Sequence, residues 1–318
     1  MSILIDKAGF TAQMHRILLS QSALTDEDAV DGMRLIQLLA GILVETLLLF
    51  DDPDEGLKAS FARMESDLNC LPQPGELGPD VLPPPYVLDH ETEQGRMLAR
   101  KLFEEWLDCA WEFHDLIMFT IQNTILRLEE AGQDRAGTFR IFMECSYRCL
   151  AYEIAAQELC DIVIEEKMGA EGWTLGESVS GLSAVAGRCL GLSKTDPAIM
   201  PGGLDQVAWV MTQEAVRLGI PAGTDWRFGL AANDCAASAP FDLIFSLWPC
   251  AREFFRAISL EGLVDQAVAC AKAAGRMLAV ASGGEMPGLE PVIAKPLAMA
   301  AMTETYRVVS RDKAALAQ

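Results

Sequence analysis

The sequence predicts an all-α protein, a multi-helix bundle joined to a second, Gly/Ala-rich helical region. Three observations predict it. Apolar residues recur at threes and fours along most of the chain, the spacing of one helix face. No segment shows the repeated β-branched alternation of a half-buried strand. Helix-start and helix-stop residues stand where the periodicity breaks.

The elements follow in order. Helices are expected near 2–19, 26–50 and 53–68. Thr25 before Asp26, Glu27 and Asp28 suits an N-cap and an acidic first turn. The run MRLIQLLAGILVETLLLF, residues 33–50, is the most apolar segment, but Arg34, Gln37 and Glu45 interrupt it. Its uncharged core falls short of the ~20 residues a bilayer requires, so it reads as the buried central helix of a bundle.

Straight after it comes LLLFDDPDEG, residues 47–56. A metal-binding acid cluster requires carboxylates converging from continuous helix, and Pro53 breaks such a helix. A cap is the simpler reading. Asp52 caps the start of a new helix, Pro53 takes its first position, and Glu55 stands third, in a capping-box arrangement.

Residues 69–88 carry six prolines and read as an extended connector. A long helical stretch is expected over 89–130, with Met97, Leu98, Leu102, Trp106, Leu107, Trp111, Leu116, Phe119 and Ile125 on its buried face. Another helix is expected over 134–167. Residues 169–203 are rich in Gly, Ser and Pro and read as a linker between a domain at 1–168 and a region at 204–318. Shorter helices are expected there at 204–218, 240–257, 259–281 and 290–309.

Charge narrows the function. The chain has 318 residues and a formal net charge of −21. Residues 1–168 hold 31 acids and 13 bases, while 169–318 hold 15 acids and 12 bases. Such a field repels phosphate backbones and anionic membrane surfaces, so neither nucleic acid nor membrane is expected as a partner. The first residues lack the basic start and apolar run of a signal peptide. Nine scattered cysteines without a CxxC pair fit reduced thiols in a cytoplasmic protein.

Few residues promise chemistry. Cys145 and Cys149 are one turn apart, and Cys160 comes eleven residues later near the same face. They are the weak candidates for a soft-metal site, against the reading of cysteine as a small hydrophobe. His114 in WEFHD lacks a glutamate three residues before it, as a carboxylate-bridged di-iron site would require. GESVSG at 176–181 lacks the strand–turn–helix context of a nucleophile elbow. GGLDQ at 202–206 and SGGEMPG at 282–288 do not have phosphate-loop spacing. No catalytic residue and no cofactor are expected.

LLAGILVETLLLFDDPDEGLKASF (38–61) and PPPYVLDHETEQGRMLARKLFEEW (83–106) resemble the helical chaperones that mature exported molybdenum reductases, the TorD/DmsD/NarJ type. The first resembles their apolar helix, proline–acid turn and second helix. The second resembles their proline–tyrosine linker and following helix. FHD (113–115) stands near their Asp-His element, in reversed order. Residues 169–318 have no counterpart in that family. The resemblance implies an all-α cytoplasmic protein that grips a partner's apolar leader peptide.

Two functions from different classes are expected from the residues themselves. The first is a non-enzymatic binding protein, a chaperone, adaptor or assembly subunit, gripping an apolar segment with basic residues. Tyr86, Trp106, Trp111 and His114 are its candidate binding residues, beside the rigid connector. Fourteen methionines offer an adaptable apolar surface and allow self-association. The alternative is a helical enzyme or carrier with an apolar small-molecule pocket, lined by Trp209, Trp226, Phe228 and Trp248.

Overall fold

The computed structural model describes residues 32–69, 92–100, 110–193, 203–221, 238–282 and 291–316. These are helical, with no strand among the described residues. The helices are α1 (Gly32–Leu47), α2 (Pro53–Leu68), α3 (Ala110–Glu130), α4 (Arg135–Ile162), α5 (Leu175–Leu192), α6 (Gly203–Arg217), α7 (Pro240–Ala257), α8 (Leu263–Ser282) and α9 (Pro291–Leu316). A further helical segment covers 92–100, and a π-helical turn, Val163–Ala170, continues α4. The helix expected at 2–19, the connector and the N-cap at Thr25 lie outside the described residues.

The chain divides into two compact units, Met1–Leu150 and Ala151–Gln318. The division falls within α4, not at the composition change near 168. In the first unit, α1 is buried on nearly all sides, as its sequence predicts. Leu39, Ile42, Leu43 and Val44 are wholly inaccessible and pack with Phe61 and Met64 of α2, Phe113, Ile117 and Ile121 of α3, and Phe139 and Phe142 of α4. Phe61 is the aromatic hub. Its ring meets Phe139, Phe142 and Tyr147 edge-on at 6.2, 5.9 and 5.1 Å, the arrangement ring quadrupoles favour.

Segment 92–100 crosses α1 at backbone contact. A β-carbon added to Gly41 would lie 2.0 Å from the Thr92 carbonyl oxygen, and one added to Gly95 would lie 2.0 Å from that of Leu38. Buried charge sits at the same crossing. Glu45, the acid inside the apolar run, accepts from Arg96 at 2.9 Å and Arg100 at 2.6 Å, and Arg96 also donates to Glu93 at 3.1 Å. Gln37 is wholly buried on α1, and neither polar atom of its amide finds a hydrogen-bond partner among the described residues.

In the second unit, residues 169–203 correct the expectation of a linker. They contain α5, which is buried at sixteen of its eighteen positions. Thr174 caps it, with the reciprocal contact from Glu177, a true capping box. Gly and Ser look like loop by propensity, but here they let neighbours approach closely. A β-carbon on Gly187 would lie 2.2 Å from the Met302 carbonyl oxygen of α9. Around α5 pack α7, α8 and α9, and α8 also packs on α6. Between α4, α6 and α8, Glu153 and Glu214 share three cations. Lys272 reaches Glu153 at 3.1 Å, Arg276 reaches Glu153 at 2.5 Å and Glu214 at 2.9 Å, and Arg217 bonds Glu214.

Other boundaries shift modestly. The helix expected at 259–281 starts at Leu263, after Ser259 adopts a left-handed φ of 56°. The last helix runs to Leu316, past the expected 309. No helix among the described residues is long and apolar enough to cross a membrane.

Candidate functional site

The stretch LLLFDDPDEG both ends one helix and borders a pocket. Asp52 is the N-cap of α2, its Oδ1 accepting the Glu55 N–H at 3.0 Å, with Pro53 in the first turn. The expected reciprocal contact is replaced. The Glu55 carboxylate instead accepts from Lys58 at 2.8 Å, and Lys58 also pairs with Asp54 at 2.6 Å. Those two bonds raise the Lys58 pKa above the ordinary lysine range.

The turn between α1 and α2 faces α3 across a pocket of about 780 Å³. Leu47, Leu49, Phe50 and Ala59 supply apolar lining, and Asp51, Asp52, Glu55 and Asp115 supply carboxylates. Arg63 is the one cationic lining residue, and it donates to Asp115 at 2.7 Å. Asp51 is exposed and makes no hydrogen bond or ion pair among the described residues. Leu49 is 49% exposed. The pocket therefore joins greasy surface to a net negative rim.

His114 lines this pocket, half-buried on α3. Its Nε2 lies 3.0 Å from Ser60 Oγ. The Ser60 hydroxyl is also 2.7 Å from the Gly56 carbonyl oxygen. Two oxygens at that separation require a proton between them, and only the serine carries one. Ser60 therefore donates to Gly56 and accepts from His114, so the proton of neutral His114 sits on Nε2. The Phe50 ring stands perpendicular to the imidazole at 6.0 Å and fixes its plane. Burial, the largest influence, pushes the His114 pKa below the usual histidine value; Asp115 pulls it up, and Arg63 pushes it down again.

A Ser–His pair in a pocket invites comparison with a hydrolytic dyad. A nucleophilic serine must give its proton to the histidine, with the other ring nitrogen oriented by a third group. Here the serine proton goes to a backbone carbonyl, and the neighbouring carboxylate, Asp115, is engaged by Arg63. In this structure Ser60 therefore does not present its proton to His114 as an activated nucleophile would.

Of the four candidate binding residues, His114 is the one whose side chain is described, and it lines this site. Tyr86 and Trp106 lie outside the described residues. Trp111 belongs to α3, but its side chain lies outside them too. The three candidate cysteines do not form one cluster. Cys145 and Cys149 belong to the core of the first unit, whereas Cys160 belongs to the second, its thiol donating to the Ala273 carbonyl at 3.4 Å. Burial pushes the thiols of Cys145 and Cys160 up to about 12, far from thiolate chemistry. Trp209 packs on the cluster of Tyr152, Val210 and Val268, and Trp248 lies 5.1 Å beneath the Arg188 guanidinium. Trp226 and Phe228 are outside the described residues.

Sequence reasoning missed Ser60 and Arg63, and met Asp115 only as the neighbour of His114 in FHD. The available signal was the apolar run that continues past Glu45 into a turn, ending on Leu49 and Phe50 beside four acids. No family model matches the sequence, and no curated protein or solved structure matches it either.

Proposed function

We propose that this protein is a non-enzymatic binding protein, chaperone- or adaptor-like, whose first unit grips an apolar partner segment that carries a basic residue. The pocket beside Asp51 supports this reading, because it sets exposed Leu49 and half-buried Phe50 next to four carboxylates and one arginine. Apolar lining supplies affinity, and the negative rim selects and orients a cationic neighbour.

The test is fluorescence anisotropy on the full chain, using a short labelled peptide of leucines around one lysine. Saturable binding is expected. It should weaken as salt rises and in Asp51→Lys, which reverses an exposed charge without removing a packed side chain. Equal binding of the same peptide with glutamate for lysine would defeat the proposal.

The pocket's size favours one second reading. About 780 Å³ lies within the ~300–1,000 Å³ typical of small-molecule sites. A carrier for an apolar amine would retain a small molecule in native mass spectrometry, and a peptide-binding protein would not.

A further inference from the structure

We infer that His114 is the specificity-determining acceptor of this pocket, its neutral Nδ1 receiving an N–H of a lysine or arginine side chain from the bound polypeptide segment. The inference rests on the proposed peptide-binding reading and adds the atom that recognises the cation.

Ser60 commits its only proton to the Gly56 carbonyl, so it can only accept from His114, and the ring proton is held at Nε2. Nδ1 of a neutral imidazole so fixed carries a lone pair and no proton. It makes no hydrogen bond among the described residues. The other polar lining groups are also chiefly acceptors. Asp51, Asp52 and Glu55 come from the turn and α2, and Asp115 from α3; the only charged donor, Arg63, is engaged by Asp115. A pocket of acceptors takes a donor. An ammonium or guanidinium supplies donors and the opposite charge together, and the leucines and Phe50 take its aliphatic stem.

The same geometry gives a pH dependence with a fixed sign. Protonation of His114 leaves the Nε2–H···Ser60 bond in place and adds its proton to Nδ1, turning the acceptor into a cationic donor. Asp115 favours that protonation, and burial and Arg63 oppose it. Cation binding should therefore be full near neutrality and fail as the pH falls through the His114 titration.

The experiment compares two labelled peptides on the full chain, one with a single lysine among leucines and one with norleucine in its place. In wild type, affinity for the lysine peptide should fall about tenfold per pH unit once His114 protonates, because only the neutral fraction binds. The norleucine peptide should bind more weakly at neutrality and show no such fall. His114→Asn, which offers a carbonyl acceptor that does not titrate, should keep the lysine preference and lose the pH dependence. His114→Phe should lose both.

NMR of wild-type His114 provides a check that does not depend on folded variants. The lysine peptide should lower the histidine's pKa, since a ligand that binds the neutral form must favour it. Unchanged lysine preference in His114→Phe, or a histidine pKa unmoved by saturating lysine peptide, would overturn the inference and leave the peptide-binding reading standing. Displacement of the peptide by equimolar free polyamine would assign the site to small amines and overturn it as well. Failure of wild type to bind either peptide would defeat both.

Discussion

Arg96 Nε donates to Glu45 Oε2 at 2.9 Å, joining a wholly buried guanidinium to a carboxylate that interrupts the most apolar helix of the chain. The two residues are fifty-one apart in sequence. An acid within an apolar helix implies a buried cation somewhere, and the fold supplies it where segment 92–100 crosses α1. Removing Arg96 takes the wholly buried cation away from two buried carboxylates, Glu45 and Glu93. Arg96→Met should therefore cost about 3–5 kcal/mol. Arg100 also reaches Glu45, but its side chain is 41% exposed, and Arg100→Ala should cost about 0–1 kcal/mol. Urea denaturation of the two variants checks the ordering, and equal losses would contradict it.

The backbone contact at this crossing gives a second expectation. Alanine for glycine within a helix normally gains about 1 kcal/mol. At Gly41 the new methyl would meet the Thr92 carbonyl at 2.0 Å, a rigid backbone atom. Gly41→Ala should destabilise by about 1–3 kcal/mol or more. At Gly56 the nearest atom is the Leu47 Cδ2 at 3.0 Å, the end of a flexible side chain. Gly56→Ala should be close to neutral, and thermal melts separate the two cases.

The caps of α2 differ in importance. Asp52 satisfies a helix N–H, whereas Glu55 bonds only the exposed Lys58. Asp52→Ala should cost about 0.5–2 kcal/mol, and Glu55→Ala should cost less. Mg²⁺ should leave the melting temperature unchanged. A Mg²⁺-dependent rise lost in Asp51→Ala would show that the acids converge on metal after all.

Much of the fold could be read from sequence where the signal was local. Pro53 after Asp52 marked the start of α2, and of the face expected from Met97 to Ile125, Leu98, Leu116 and Ile125 are buried, whereas Phe119 is 38% exposed and Leu102, Trp106, Leu107 and the Trp111 side chain lie outside the described residues. The signal failed where tertiary packing reverses local preference. Leu175–Leu192 looked like linker because Gly and Ser favour loops, yet the close approach of Gly187 to the Met302 carbonyl requires a small residue inside a helix. The site was the least legible part. His114 has no distinguishing neighbour in sequence, and the partner that fixes its tautomer, Ser60, is fifty-four residues away.

That partnership also bears on stability against pH. The folded state holds His114 below the ordinary histidine value of about 6.5, with burial as the main cause. Between the folded and unfolded values the unfolded chain binds more protons, so stability rises with pH across that window. The contribution is fully present above about pH 6.5 and is lost as the pH falls through the folded value. Subtracting the pH–stability curve of His114→Asn from that of wild type isolates it from His15, His90 and the carboxylates. A difference curve that rises toward acid would reverse the sign and exclude a neutral buried imidazole.

The division within α4 gives the last expectation. Cys145, Cys149 and Leu150 pack in the core of the first unit. One turn on, Tyr152 packs with Val210 and Val268 and donates to Asp265 at 2.5 Å, and Cys160 bonds Ala273. A chain ending at Leu150 keeps the helix that its own core requires. A chain ending at residue 168 also carries Tyr152, Leu159 and Val163, buried in the whole protein, without the α6 and α8 residues that Tyr152 and Cys160 contact. The 1–150 fragment should therefore stay helical by circular dichroism, remain monomeric in sedimentation, and bind the lysine peptide within about tenfold of the full chain, a difference of ~1.4 kcal/mol. The 1–168 fragment should bind as well but self-associate through its uncovered stripe. If 1–150 folds and shows no binding while 151–318 binds the peptide in full, the site lies in the second unit and the pocket beside Asp51 is not the grip.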